Sequence, residues 1–305
     1  MMKIVLLAFI VFLAACNNPM AYKSKKNKKN EKSELLSEEI YLKGYSVMTL
    51  TKELTEISGI TFLNDSVVLA VADEEGEFFY YNLKQNKVIK KQAFGPPDDY
   101  EDLVKVGNDL YIVVSNGLIH HIKNFSSAKP ELNSFKTPLK GKNNIEGIAY
   151  DEKNKRLLLS AKDNGLDDNV KTKEIYAFDL VSGKFNSSPV YTINIEDIES
   201  QFKGDGLEES SKKLLKALGN ENMNKIFRPS AITIKPSTNE VFVLSSINNL
   251  IAVISPSGEL SKIIPLLGKS FKQPEGIAFS PDGSLYISNE GKTGKGNIIK
   301  LTHEN

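Results

Sequence analysis

Five times along this chain an acidic or small residue stands before a glycine, or another short residue, and a branched apolar one, and a strand pattern follows. The five openings are Ile57-Ser58-Gly59-Ile60, Tyr100-Glu101-Asp102-Leu103, Ile145-Glu146-Gly147-Ile148, Pro229-Ser230-Ala231-Ile232 and Pro274-Glu275-Gly276-Ile277. Turn formers rich in Asn, Asp, Gly and Pro come next, at 64–65, 107–109, 151–154, 236–239 and 281–283. Apolar strand segments then run over 67–73, 110–115, 157–160, 241–245 and 285–288, so each opening begins a hairpin. Most copies add a third apolar stretch, as at 77–83, 174–180 and 250–255, and a further turn leads into a fourth. Four short strands in a unit of about 45 residues are the sequence mark of a propeller blade. A β-sandwich of similar strands is the rival, but it has no reason to repeat one opening at matching places. The sequence therefore predicts an all-β chain folded as a β-propeller.

The openings are spaced 43, 45, 84 and 45 residues apart. The long gap is either a sixth blade or an insertion. Within it, Leu214, Leu215 and Leu218 followed by Gly219 read as a short amphipathic helix with its C-cap, which is not strand material. Five blades with one helical insertion at about 195–227 is the expectation, and six blades is the alternative. The segment 39–50 is expected to close the ring against 296–302, because closure removes exposed edges.

Aligning the openings puts Ser58, Glu101, Glu146, Ser230 and Glu275 in one column. The first strand of a blade lines the central channel, so this column predicts a ring of side chains around the axis. Carboxylates crowded there repel one another and resist burial. A divalent cation resolves the conflict, and carboxylates with hydroxyls are the hard oxygen donors that calcium accepts. Pairing with lysines, capping of backbone amides, or a wet channel would resolve it too. Asp73, Asn116, Asp163, Asn289 and Glu290, at strand exits of the same mouth, are candidate accessory ligands. Glu56 and Asp102 adjoin the column and point the other way in a regular strand.

The first forty residues constrain location. One lysine at position 3 precedes an uncharged apolar run over 4–15, the length of a signal-peptide core and too short to span a bilayer. It ends in Leu13-Ala14-Ala15-Cys16, which resembles the lipobox of bacterial lipoproteins; the alternative is a plain signal peptide with a chance cysteine. The expected division is a lipoprotein signal peptide over 1–15, a lipidated Cys16 with a flexible basic tether over 16–40, and the propeller over 41–305. Cys16 is the only cysteine, so no intramolecular disulfide can brace the fold. Asn17 is not the aspartate that keeps such lipoproteins in the inner membrane, so the resemblance implies a lipid-anchored cell-envelope protein of the outer membrane. Lysines and arginines (39) balance aspartates and glutamates (38), which gives no footprint for nucleic acid. A monomer is expected.

The five openings, with Leu54-Thr55-Glu56 before the first and Val71-Ala72-Asp73-Glu74-Glu75-Gly76 after its second strand, resemble the SdiA-regulated (YjiK-like) propeller family over roughly 45–303. The resemblance implies a five-bladed propeller, NHL-like in form, with a bound calcium ion and no established activity. The chain departs from the pattern at Ser58, Ser230 and the Glu101-Asp102-Leu103 opening. Related propellers with calcium at the channel hydrolyse lactones or phosphate esters, so a calcium-dependent hydrolase at the channel mouth is the alternative to a ligand- or protein-binding module of unknown partner. No catalytic constellation stands out. No Ser/His pair is placed for nucleophilic catalysis, and His120 and His121, adjacent on one strand, face opposite sides and read as ordinary strand residues. The binding module is the reading favoured here.

Overall fold

The computed structural model describes residues 44–201, 222–266, 268–292 and 294–301. The expected lipid site at Cys16 and the helix expected around Leu214 to Leu218 lie outside them. Twenty strands form five four-stranded antiparallel sheets, each a blade. Blade one holds β2 (Ile57–Asn64), β3 (Val67–Ala72), β4 (Glu77–Asn82) and β5 (Lys87–Ala93). Blade two holds β6 (Tyr100–Val106), β7 (Asp109–Val114), β8 (Ile119–Lys123) and β9 (Glu131–Phe135). Blade three holds β10 (Ile145–Asp151), β11 (Arg156–Ala161), β12 (Thr172–Asp179) and β13 (Lys184–Asn194). Blade four holds β14 (Pro229–Ile234), β15 (Val241–Ser245), β16 (Leu250–Ile254) and β17 (Leu260–Pro265). In blade five, β18 (Pro274–Phe279), β19 (Leu285–Asn289) and β20 (Asn297–Leu301) are completed by β1 (Tyr45–Thr49).

That last pairing closes the ring as the sequence predicts, Tyr45 opposite Leu301 and Thr49 opposite Asn297. Five blades, not six, are present. The extra length in the 84-residue spacing follows blade three, which the chain leaves through helix α1 (Ile195–Gln201) before it reaches blade four through a short turn of helix, Met223–Lys225.

The core has the same fivefold plan. Each of five apolar clusters lies between two successive blades: one joins Val68, Ala70 and Phe79 to Ala278 and Tyr286, and another joins Leu69 and Phe78 to Tyr100 and Ile112. The other three fill the remaining wedges. Middle strands are therefore buried on both faces, which is why β3 reads Val-Val-Leu-Ala-Val-Ala with no polar alternation. The inner strands β2, β6, β10, β14 and β18 neighbour one another around the axis.

Candidate functional site

All five inner strands break register at the predicted column. Tyr100 pairs with Val114 and Asp102 with Val113, which leaves Glu101 as the extra residue of a bulge. Glu146, Ser230 and Glu275 are skipped in the same way, and the irregularity in blade one spans Ser58 and Gly59. A bulge leaves its extra residue out of the ladder and re-aims the side chain, a device common beside functional sites. The column is thus a fivefold backbone feature as well as a sequence repeat.

Three of its members meet electrostatically. Glu146 acts on both Glu101 and Glu275, and all three share one counter-charge, Lys162, the residue that follows β11. The Lys162 ammonium lies 2.7 Å from Glu146 Oε1, which also accepts from Asn144 Nδ2 at 2.8 Å. Burial pushes Glu101 up to about 10, with Glu146 and Asp99 adding to the effect, and pushes Glu275 up to about 7 against the pull of Lys162. For Lys162 itself burial works against the charge, but Glu146, Glu275 and Glu101 outweigh it and hold the ammonium above its ordinary range. Around this centre stand further acids: Asp99 and Asp73 beside Glu101, Glu290 beside Glu275, and Glu56 beside Glu290. Burial and Asp99 raise Asp73 to about 6. Glu275 Oε2 and Asp73 Oδ1 are buried without a hydrogen-bond partner.

The hydroxyls of the column are placed differently. Ser230 Oγ donates to the Pro274 carbonyl at 2.8 Å, a strut between blades four and five. The Ser58 carbonyl accepts from Ser288 Oγ at 2.8 Å, a strut between blades five and one. Of the accessory candidates, Asp163 pairs with Arg228 at 2.6 Å, Asn116 accepts from Leu118 N within its own turn, and Asn289 donates to Asn297 inside blade five. Only Asp73 and Glu290 join the carboxylate group.

Asp102 was expected to point away from the channel, and it does not. The regular alternation behind that expectation fails at the bulge, so consecutive residues serve the ring. Asp102 is 2 % exposed; its carboxylate accepts from Leu103 N at 2.8 Å and from Ile148 N of blade three at 3.0 Å, and it also bonds the Ile232 amide of blade four. Burial holds this carboxyl well above its ordinary range, against the pull of the three amides. Residues at the same position in the other blades are Gly59, Gly147, Ala231 and Gly276. A Cβ on Gly59 would strike Asp102 itself, and one on Gly147 would come within 2.9 Å of Ile232 N. One carboxylate therefore fills the centre that four short residues leave open.

Sequence reasoning missed Lys162, Asp99, Arg228 and Lys173. Lys173 is fully buried, brought down to about 8 by burial, and donates to the carbonyls of Lys162 and Asp163 and to Asn224. A lysine at the polar head, Thr172-Lys173-Glu174, of a strand that continues Ile-Tyr-Ala-Phe was the available signal. The histidines do face opposite sides: His121 bonds Asp109 at 2.8 Å and stacks on Tyr111, while His120 bonds Ser134 at 2.9 Å. That second contact joins a serine to a histidine. It is a cross-strand neighbour pair on β8 and β9, away from the column, with no carboxylate bonded to the imidazole.

The family model described as SdiA-regulated matches residues 37–293. The chain belongs to the SdiA-regulated family. A search of curated proteins found no match. Solved structures of similar shape include a streptogramin B lyase (13% identity, 85% of this chain and 98% of that one, TM-score 0.47) and a luciferin-regenerating enzyme (14%, 85% and 96%, 0.48). A Bacteroides thetaiotaomicron VPI-5482 protein of unknown function is also similar (12%, 81% and 59%, 0.48). At these identities and scores the likenesses say nothing about chemistry.

For the calcium that resemblance to the SdiA-regulated family implies, the donors fit in kind: carboxylate oxygens, one of them orphaned on Glu275. They do not fit in arrangement. Among the described residues no three His, Cys, Asp or Glu side chains are grouped so as to hold a metal, and the ammonium of Lys162 stands among the carboxylates.

Proposed function

We propose that this chain is a lipid-anchored binding propeller of the cell envelope, tethered to the outer membrane through Cys16, whose channel mouth takes a positively charged ligand. The observation behind this reading is that Glu146 and Glu275, with Asp73, Asp99, Glu56 and Glu290 around them, have Lys162 as their central counter-charge, while Glu275 Oε2 is buried with no hydrogen-bond partner. Unpaired acceptors in a partly dry site favour a ligand that brings positive charge or N–H donors. Two sources share that chemistry, a metal ion such as calcium and an organic ammonium, and a binding partner that presents a lysine or arginine side chain belongs to the second.

Calorimetric titration of the protein with calcium chloride, putrescine and arginine amide tests the reading. At least one should bind, and Glu275→Gln should weaken it about tenfold, as loss of one charged hydrogen bond does. No heat from any of the three would end the proposal. The anchor has its own test: Cys16→Ser should move the protein from the membrane fraction to the soluble one.

One observation favours a hydrolase. A carboxyl held at about 7 is half protonated at neutral pH and can pass a proton to a leaving group. Turnover of a lactone or phosphate ester that Glu275→Gln abolishes would establish that reading; silence across such a panel favours the binding module.

A further inference from the structure

We infer that Lys162 is a resident cation that takes the place of a divalent ion in this channel, and so keeps calcium out of the carboxylate group. The inference rests on the reading of the mouth as a cation site and says which cation it refuses.

The position is built for one blade alone. The residues that follow the second strands are Asp73, Ser115, Lys162, Ser246 and Glu290. Only blade three sends an ammonium there, and it faces the bulged glutamates of blades two, three and five. Its side chain is 19 % exposed and that of Glu146 is 5 % exposed, so the pair is shielded from solvent. Glu146 Oε1 is saturated by two donors, Lys162 Nζ and Asn144 Nδ2. Lys162 also has its backbone fixed, because its carbonyl accepts from the buried Lys173 ammonium and its amide donates to the Asn144 carbonyl at 2.8 Å. A divalent ion bound by Glu146 with Glu101 or Glu275 would face this ammonium across a few ångströms of low-dielectric interior, where like charges repel strongly. To admit it, Lys162 would have to leave its carboxylates for water.

Thermal melts of chelator-stripped protein provide the test, run with calcium at about ten times the roughly millimolar Kd of weak extracellular calcium modules. The wild type should not shift. Lys162→Gln, which removes the charge, should gain a calcium-dependent rise of about 3 °C. Lys162→Arg, which keeps it, should stay blind to calcium, and Lys162→Gln with Glu146→Gln should lose the gain. A calcium-dependent rise in the wild type overturns the inference without any variant, and it would support cation binding at the mouth. A folded Lys162→Gln that ignores calcium overturns it also. Failure of the organic ammonium titrations would instead strike the ligand reading and leave the calcium exclusion by Lys162 standing.

Discussion

Glu101 and Asp102 are consecutive, both acidic and both turned toward the channel, yet the protein treats them in opposite ways. Asp102 receives backbone amides from its own strand and from blades three and four, none of which can move without moving the ring. Glu101 has Lys162 as its counter-charge and no such set of fixed amides, and burial first, then Glu146 and Asp99, leave it far above its ordinary range. The first arrangement is a keystone and belongs to the fold. The second is electrostatically unfinished, and unfinished burial of charge is where binding sites are found. The lesson is that position in the ring does not decide a carboxylate's task; the supply of fixed donors does.

Breaking the keystone should have the largest effect. Asp102→Ala strands buried amides of three strands and should cost about 3–5 kcal/mol, a fall in Tm of roughly 10 °C. Asp102→Asn keeps one acceptor and should cost less. If Asp102→Ala melts within a degree or two of the wild type, the contrast with Glu101 disappears. Glu101→Gln should act in the opposite sense at alkaline pH. A folded-state value of about 10 means that the native chain holds a proton the unfolded chain has released. Its contribution to stability is present below the ordinary carboxyl range and is lost as pH rises toward 10. Melts at pH 5 and pH 9 should therefore show Glu101→Gln near neutral at the first and stabilising by about 1 kcal/mol or more at the second. A destabilised variant at both pH values would place Glu101 with the structural residues. The smallest effect belongs to Ser230→Ala, which removes one strut between blades four and five and should cost about 1 kcal/mol in denaturant melts.

The blades were legible because a repeated opening, a turn and a branched apolar run state one local preference five times over. Closure by 45–49 followed from the need to cover an edge. The column was legible as positions, since Ser58, Glu101, Glu146, Ser230 and Glu275 align by eye. What surrounds it was not. Lys162 lies sixteen residues from Glu146, and only the hairpin of β10 and β11 brings the two together. Asp102 was misread because alternation assumes a regular strand, and the bulge that breaks it has no marker in sequence beyond the short residues at 59, 147, 231 and 276. The two serines looked like ligands because a hydroxyl in a ring of acids is a plausible one; that Ser230 bonds a neighbouring blade's carbonyl is a matter of tertiary geometry.

The pairing of β1 with β20 also bears on how the chain folds. Tyr45 and its partner Leu301 stand at opposite ends of the ring's sequence, so this pairing closes a loop that holds every intervening blade. Loop closure of that length makes this the slowest and least local contact of the ring. Until it forms, blade five lacks its outer strand and leaves β20 as a bare edge open to pairing with another chain. A ring that is completed by its earliest strand is therefore most exposed to misassembly at its last moment, and quality of folding should depend on how long Tyr45–Thr49 is kept from other partners.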